Sequence, residues 1–145
     1  MATPGDPSLL PAADRRYLEA LGRAFNAAYE QVSPAVVLVT TTRPGRLSRL
    51  KLPRFHPALP DEDYKGIGSG TIISTNGYIL SNYHVIEDAD SIRVTLSDRR
   101  VFDAKVVGSD SLIDIALLKI QSADLPVVRL GDSDRLKIGD LVLAI

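Results

Sequence analysis

The 145-residue chain contains no cysteine, which excludes a disulfide scaffold, a thiolate metal site and a cysteine nucleophile. It holds only two histidines, so a histidine-rich metal centre is not expected, and no motif calls for a cofactor. Charge of one sign is also lacking. Seventeen basic against 18 acidic residues leave a formal net charge of −1, a balance that recruits neither nucleic acid nor an anionic membrane. No apolar run approaches the roughly 18 residues needed to span a bilayer; the longest uncharged apolar stretches, Ala35–Val39 and Leu141–Ile145, are strand length. The start of the chain lacks the basic and apolar regions of a secretory signal, which suits either a cytoplasmic protein or a chain made without its leader.

What is present is the composition of one globular domain, 45% hydrophobic and 24% charged. Residues 1–11, with three prolines and a glycine, cannot bury enough apolar surface to order themselves and are expected to be a floppy leader. From Ala12 to Val32 the residues Leu18, Leu21, Phe25, Ala28 and Val32 recur at helical spacing, and Ser33-Pro34 stops that helix. Tyr17, Phe25 and Tyr29 are the side chains that could mediate assembly, although an ordinary apolar stripe packed on the following domain is the simpler expectation. Ala35–Thr42 is β-branched and predicts a strand.

Arg43–Ile67 predicts a long loop, with four prolines, five basic residues between Arg43 and Arg54, and an acidic Asp61-Glu62-Asp63. A segment of this length is either functional or a solvated insertion; its basic half could dock an acidic partner. From Gly68 onward short strands alternate with turn signals. Gly70–Ser74 and Tyr78–Ser81 flank Asn76-Gly77, which suits a type I′ hairpin. Ser91–Leu96, Val101–Val107 and Asp114–Ile120 follow, bringing the count to six strands from Ala35. Six short antiparallel strands with little helix predict an all-β domain closed into a small barrel, because closure removes exposed edges. Pro126–Leu130 could add an edge segment, and Leu141–Ile145 begins a fresh apolar strand at the last residue, from which the chain is expected to be the front part of something longer.

Two residues could carry chemistry. His84 sits just after the Tyr78–Ser81 strand, at the head of a segment too short for more than a turn of helix; an imidazole there can move protons near neutral pH or be a hydrogen-bonded bystander. Asp114 opens an apolar strand between Ile113 and Ile115. A partly buried carboxylate there must be paired or hydrogen-bonded, which leaves a turn-capping role equally open. Together they fit the base and its orienter in a serine-type triad, but no serine lies in a Gly-x-Ser-Gly context. Ser69, between Gly68 and Gly70, has the setting of a tight turn and not of an activated hydroxyl.

The stretch Gly68–Ile86, with Ser81-Asn-Tyr-His84 in place of a Thr-Asn-x-His pattern, resembles the region around the catalytic histidine of the HtrA (Deg, or Do-like) serine proteases. Gly108–Ile120 resembles the region around that family's catalytic aspartate, and Leu130–Ile145 the link into its second barrel. The resemblance implies that residues 34–139 form the first six-stranded barrel of a chymotrypsin-like double barrel, that residues 1–33 are a leader and helix, and that residues 140–145 open the second barrel. It further implies His84 as general base, Asp114 as its orienter, and a nucleophilic serine absent from this chain, which should then be inactive on peptides by itself. By the same resemblance the whole protein would cleave unfolded or misfolded proteins without metal or cofactor, assemble as a trimer-based homo-oligomer, and work in the periplasm or cell envelope. The resemblance also implies C-terminal PDZ domains that bind peptide ends by strand addition, none of which is expected within residues 1–145. A non-catalytic binding or chaperone-like module of the same fold is the competing expectation.

Overall fold

The computed structural model describes residues 11–43 and 64–145. The expected floppy leader and most of the basic loop therefore lie outside the described residues. Helix α1 spans Ala12–Val32, ending where Pro34 forces a short 3-10 turn at Ser33–Ala35. Strands β1 (Val36–Arg43), β2 (Tyr64–Ile72) and β3 (Tyr78–Ser81) follow, then a single helical turn α2 (Tyr83–Ile86), then β4 (Ser91–Thr95), β5 (Val101–Asp110) and β6 (Ile115–Ile120). All six strands are antiparallel to their neighbours and close in the order β1-β2-β3-β6-β5-β4. The barrel is thus two three-stranded meanders, β1–β3 and β4–β6, joined at two seams: β1 against β4, and β3 against β6.

Period-two alternation determines which side chains fill it. Val37 and Val39 from β1, Ile72 from β2, Ile79 from β3, Val94 from β4 and Leu118 and Ile120 from β6 are fully buried, and Ile92, Leu96 and Ala116 complete the core beside half-buried Phe102 and Ala104. Burying one such aliphatic side chain contributes about 1.5–3 kcal/mol.

Strand β2 differs from its sequence reading. It begins at Tyr64, inside the stretch expected to be loop, and Ser69 lies in mid-strand opposite Leu38, not in a turn. Its inward positions are Gly66, Gly68 and Gly70, alternating with exposed Lys65, Ile67 and Ser69. Composition concealed the strand because the side chains that would mark its inner face are missing, and a neighbouring element fills the space instead. A Cβ on Gly68 would collide with Val85 of α2, coming within 2.7 Å of its Cγ1 and 3.1 Å of its Cβ. Gly68→Ala should therefore lower stability by about 1–3 kcal/mol, the range for overpacking a tight site, read as a fall in the denaturant midpoint; an unchanged midpoint would show that Val85 has room to retreat.

The β2–β3 reversal is also not the expected two-residue type I′ turn. It is a five-residue connection, Ile73–Gly77, within which the Gly77 N–H donates to the Ser74 carbonyl at 3.0 Å, and of its residues only Gly77 has positive φ, at 97°. Type I′ needs positive φ at both central residues, and Asn76 does not adopt it. Other boundaries shift slightly: Ala35 belongs to the 3-10 turn, β5 runs on through a bulge between Val106 and Gly108 to Asp110, and Asp114 stands outside β6.

One apolar segment behaves differently from expectation. No residue of α1 is buried, with Tyr17 76% and Tyr29 55% exposed, so the apolar stripe is not covered as a core-packed helix would be. Leu141–Ile145 pairs with no strand among the described residues, and its side chains are exposed. Pro126–Leu130 forms no strand, although the Val128 N–H reaches the Ile72 carbonyl at 3.1 Å beside it.

Candidate active site

The β3–β6 seam ends at the Ser81–Ala116 rung. Just beyond it the chain leaving β3 turns into α2, while the chain entering β6 passes through Asp114. Asn82-Tyr83-His84 and Asp114 are therefore neighbours although 30 residues separate His84 from Asp114. Asp114 has a φ of +54°, a left-handed conformation uncommon for a residue with a side chain but best tolerated by Asn and Asp. That conformation aims its carboxylate back over the first turn of α2.

The two sequence candidates meet directly. His84 Nδ1 lies 2.7 Å from Asp114 Oδ2. A carboxylate only accepts, so Nδ1 carries a proton, and in the neutral ring Nε2 is the nitrogen left with a free lone pair. The His84 backbone N–H donates to the other oxygen, Oδ1, at 2.9 Å, fixing the carboxylate plane relative to both ring and backbone. Asn82 Nδ2 donates to Oδ2 at 3.1 Å and to the Asp114 carbonyl at 3.2 Å, and the Tyr83 N–H donates to that same carbonyl at 3.2 Å. At the far end of the turn Arg43 Nη2 approaches the His84 carbonyl at 3.4 Å.

These donors hold the Asp114 carboxyl below its ordinary value. The His84 backbone N–H contributes most and the His84 ring next, against a partial desolvation that pushes the other way, with a smaller share from the Asn82 amide. A depressed folded-state value means that the ionised carboxylate stabilises the fold wherever pH exceeds the ordinary carboxylate range, and that this contribution is lost only as pH falls through the depressed value. The His84 turn should accordingly keep its amide protection down to about pH 4 and loosen below it, as hydrogen exchange can check; loosening between pH 5 and 7 would contradict the depressed value.

The site is open. The His84 side chain is 68% exposed and that of Asp114 44%, so Asp114 is only partly withdrawn from solvent, as its sequence setting suggested. Val85 and Ile86 anchor the turn in the core behind them. Ser69, the weakest sequence candidate, is not brought to the site as a hydroxyl partner: its carbonyl accepts from the Ser81 hydroxyl at 2.8 Å. Among the described residues no hydroxyl is hydrogen-bonded to His84 Nε2. Asn82 is the side chain bound to the Asp114 carboxylate that the sequence reading passed over, quoted only as part of a motif.

A family model described as a trypsin-like peptidase domain matches residues 68–145, just over half of the chain. A probable periplasmic serine endoprotease DegP-like of Pseudomonas putida (strain GB-1) is 41% identical over an alignment covering 83% of this chain and 30% of that protein. Its counterpart in Ectopseudomonas mendocina (strain ymp) is 42% identical, covering 83% and 31%. A solved structure of the HtrA-type protease AlgW with a tripeptide superposes with a TM-score of 0.65 at 35% identity, over 80% of this chain and 32% of that one. The chain thus spans about a third of the length of these relatives.

Proposed function

The chain belongs to the HtrA-type, trypsin-like serine proteases, and on that footing we propose that it supplies the base and its orienter for a serine endopeptidase. The contact that supports this reading is His84 Nδ1 to Asp114 Oδ2 at 2.7 Å. A buttressed Nδ1–H leaves Nε2 able to take the proton of an attacking serine hydroxyl and then return it to the departing amine. Asp114 holds that tautomer and stabilises the imidazolium formed in between. The nucleophile and the amide donors that receive the oxyanion come, in this proposal, from a second barrel beyond residue 145. A base without them forgoes the largest contributions to the rate, so the 145 residues alone are assigned no turnover.

By the relatives' names the setting would be periplasmic. Unfolded or misfolded protein is proposed as substrate and a homo-oligomer as the working form. The direct experiment compares cleavage of an unfolded reporter protein by the 145-residue chain and by a polypeptide extended to the length of its relatives. The expected result is cleavage by the extended protein only. Binding of the reporter by the extended protein without cleavage would replace the protease reading with that of a chaperone-like module.

A further inference from the structure

Asn82 occupies the N-cap position of α2, with φ −87° and ψ 148°, yet its side chain makes no capping hydrogen bond. Asparagine is among the preferred N-cap residues because its side-chain oxygen accepts from the first free N–H groups of a helix. Here those groups are served from elsewhere: the Tyr83 N–H by the Asp114 carbonyl and the His84 N–H by Asp114 Oδ1. The Asn82 amide is thereby released to reach across 32 residues to Asp114, where Nδ2 lies 3.1 Å from Oδ2 and 3.2 Å from the carbonyl oxygen. Both partners are pure acceptors, so the nitrogen and not the oxygen of the amide must face them. An amide nitrogen carries two protons, one for each acceptor.

On the premise that His84 and Asp114 are base and orienter, we propose that Asn82 is a positioning residue of the same site. Its amide clamps the Asp114 backbone and carboxylate together and so aims Oδ2 at His84 Nδ1. The clamp acts at the point where Asp114 adopts its left-handed backbone, and it joins the Tyr83 and His84 backbone N–H groups that hold the same carbonyl and the other carboxylate oxygen. The chemistry also limits what can substitute. Serine or threonine can cap a helix but has a single proton on a shorter arm, and aspartate has the shape of asparagine with no donor at all.

The test is histidine-selective 15N spectroscopy of the 145-residue chain in the neutral-imidazole form, with His56→Gln used to assign His84. The wild type should show the Nδ1–H tautomer; its absence would overturn the His84–Asp114 premise, and this inference with it. Given that tautomer, Asn82→Ser and Asn82→Asp should each raise the ratio of Nε2–H to Nδ1–H about tenfold or more, the equivalent of losing one hydrogen bond to a charged group. Asn82→Ser retaining the wild-type tautomer would show that position 82 is only a helix cap. Asn82→Asp retaining it would show that only the shape of the side chain matters. Either result overturns the clamp while leaving the catalytic pair intact. Amide spectra recorded alongside establish that the variant barrels are folded, and the two variants stand as independent readings if one of them is not.

Discussion

Asp114→Asn should reduce peptide turnover by about 10⁴-fold in a polypeptide extended to the length of its relatives, with KM nearly unchanged. The two oxygens of Asp114 serve different donors, Oδ1 the His84 backbone N–H and Oδ2 the His84 ring. An amide can accept at only one of these places. If its oxygen stays on the backbone N–H, its NH₂ group is turned toward Nδ1, which must then become the acceptor. The ring proton moves to Nε2, the nitrogen required to receive the proton of the nucleophile, and base catalysis stops although every heavy atom remains in place. Steady-state kinetics on an unfolded substrate decide the matter. A loss of less than tenfold would identify Asp114 as a structural capping carboxylate, the reading that its sequence setting left open.

The second large effect is expected from His84→Ala, which should lower turnover in the same extended protein by roughly 10⁴- to 10⁶-fold while leaving the barrel standing. The dissociation of activity from stability follows from where the contacts lie. The imidazole is mostly exposed, whereas the anchor of the turn to Asp114 runs through the His84 backbone N–H, which alanine retains, and through Val85 and Ile86 in the core. Parallel measurement of cleavage and of the melting transition tests both halves of the statement. Retained cleavage would remove His84 from the mechanism. A collapse of the fold would show that the ring bears more structure than its exposure implies.

Much of this architecture was legible before any coordinates, and the exceptions share a cause. Strands whose inner faces carry Val, Ile and Leu, such as β1, β3, β4 and β6, declare themselves by alternation. Strand β2 does not, because Gly66, Gly68 and Gly70 leave its inner face blank up to Ile72, and the side chains crowding those glycines, Thr41, Val85 and Ile79, come from other elements. The pairing of His84 with Asp114 was expected from two motifs, but not the left-handed backbone of Asp114 or the redirected amide of Asn82. Both depend on what lies across the β3–β6 seam, which local sequence does not report. The stripe of α1 was legible as a periodicity, but periodicity states only that a face is apolar and says nothing of whether anything covers it.

The division of the barrel into two meanders gives this site a built-in order of assembly. The imidazole is delivered by the segment after β3 and the carboxylate by the segment before β6, and they meet only where those two strands zip together. On a ribosome, the first meander emerges with its histidine well before the second has been translated. A nascent chain in that condition holds the His84 ring without the carboxylate that orients it. Orientation of the imidazole is then a property of strand order, set when the β3–β6 seam closes.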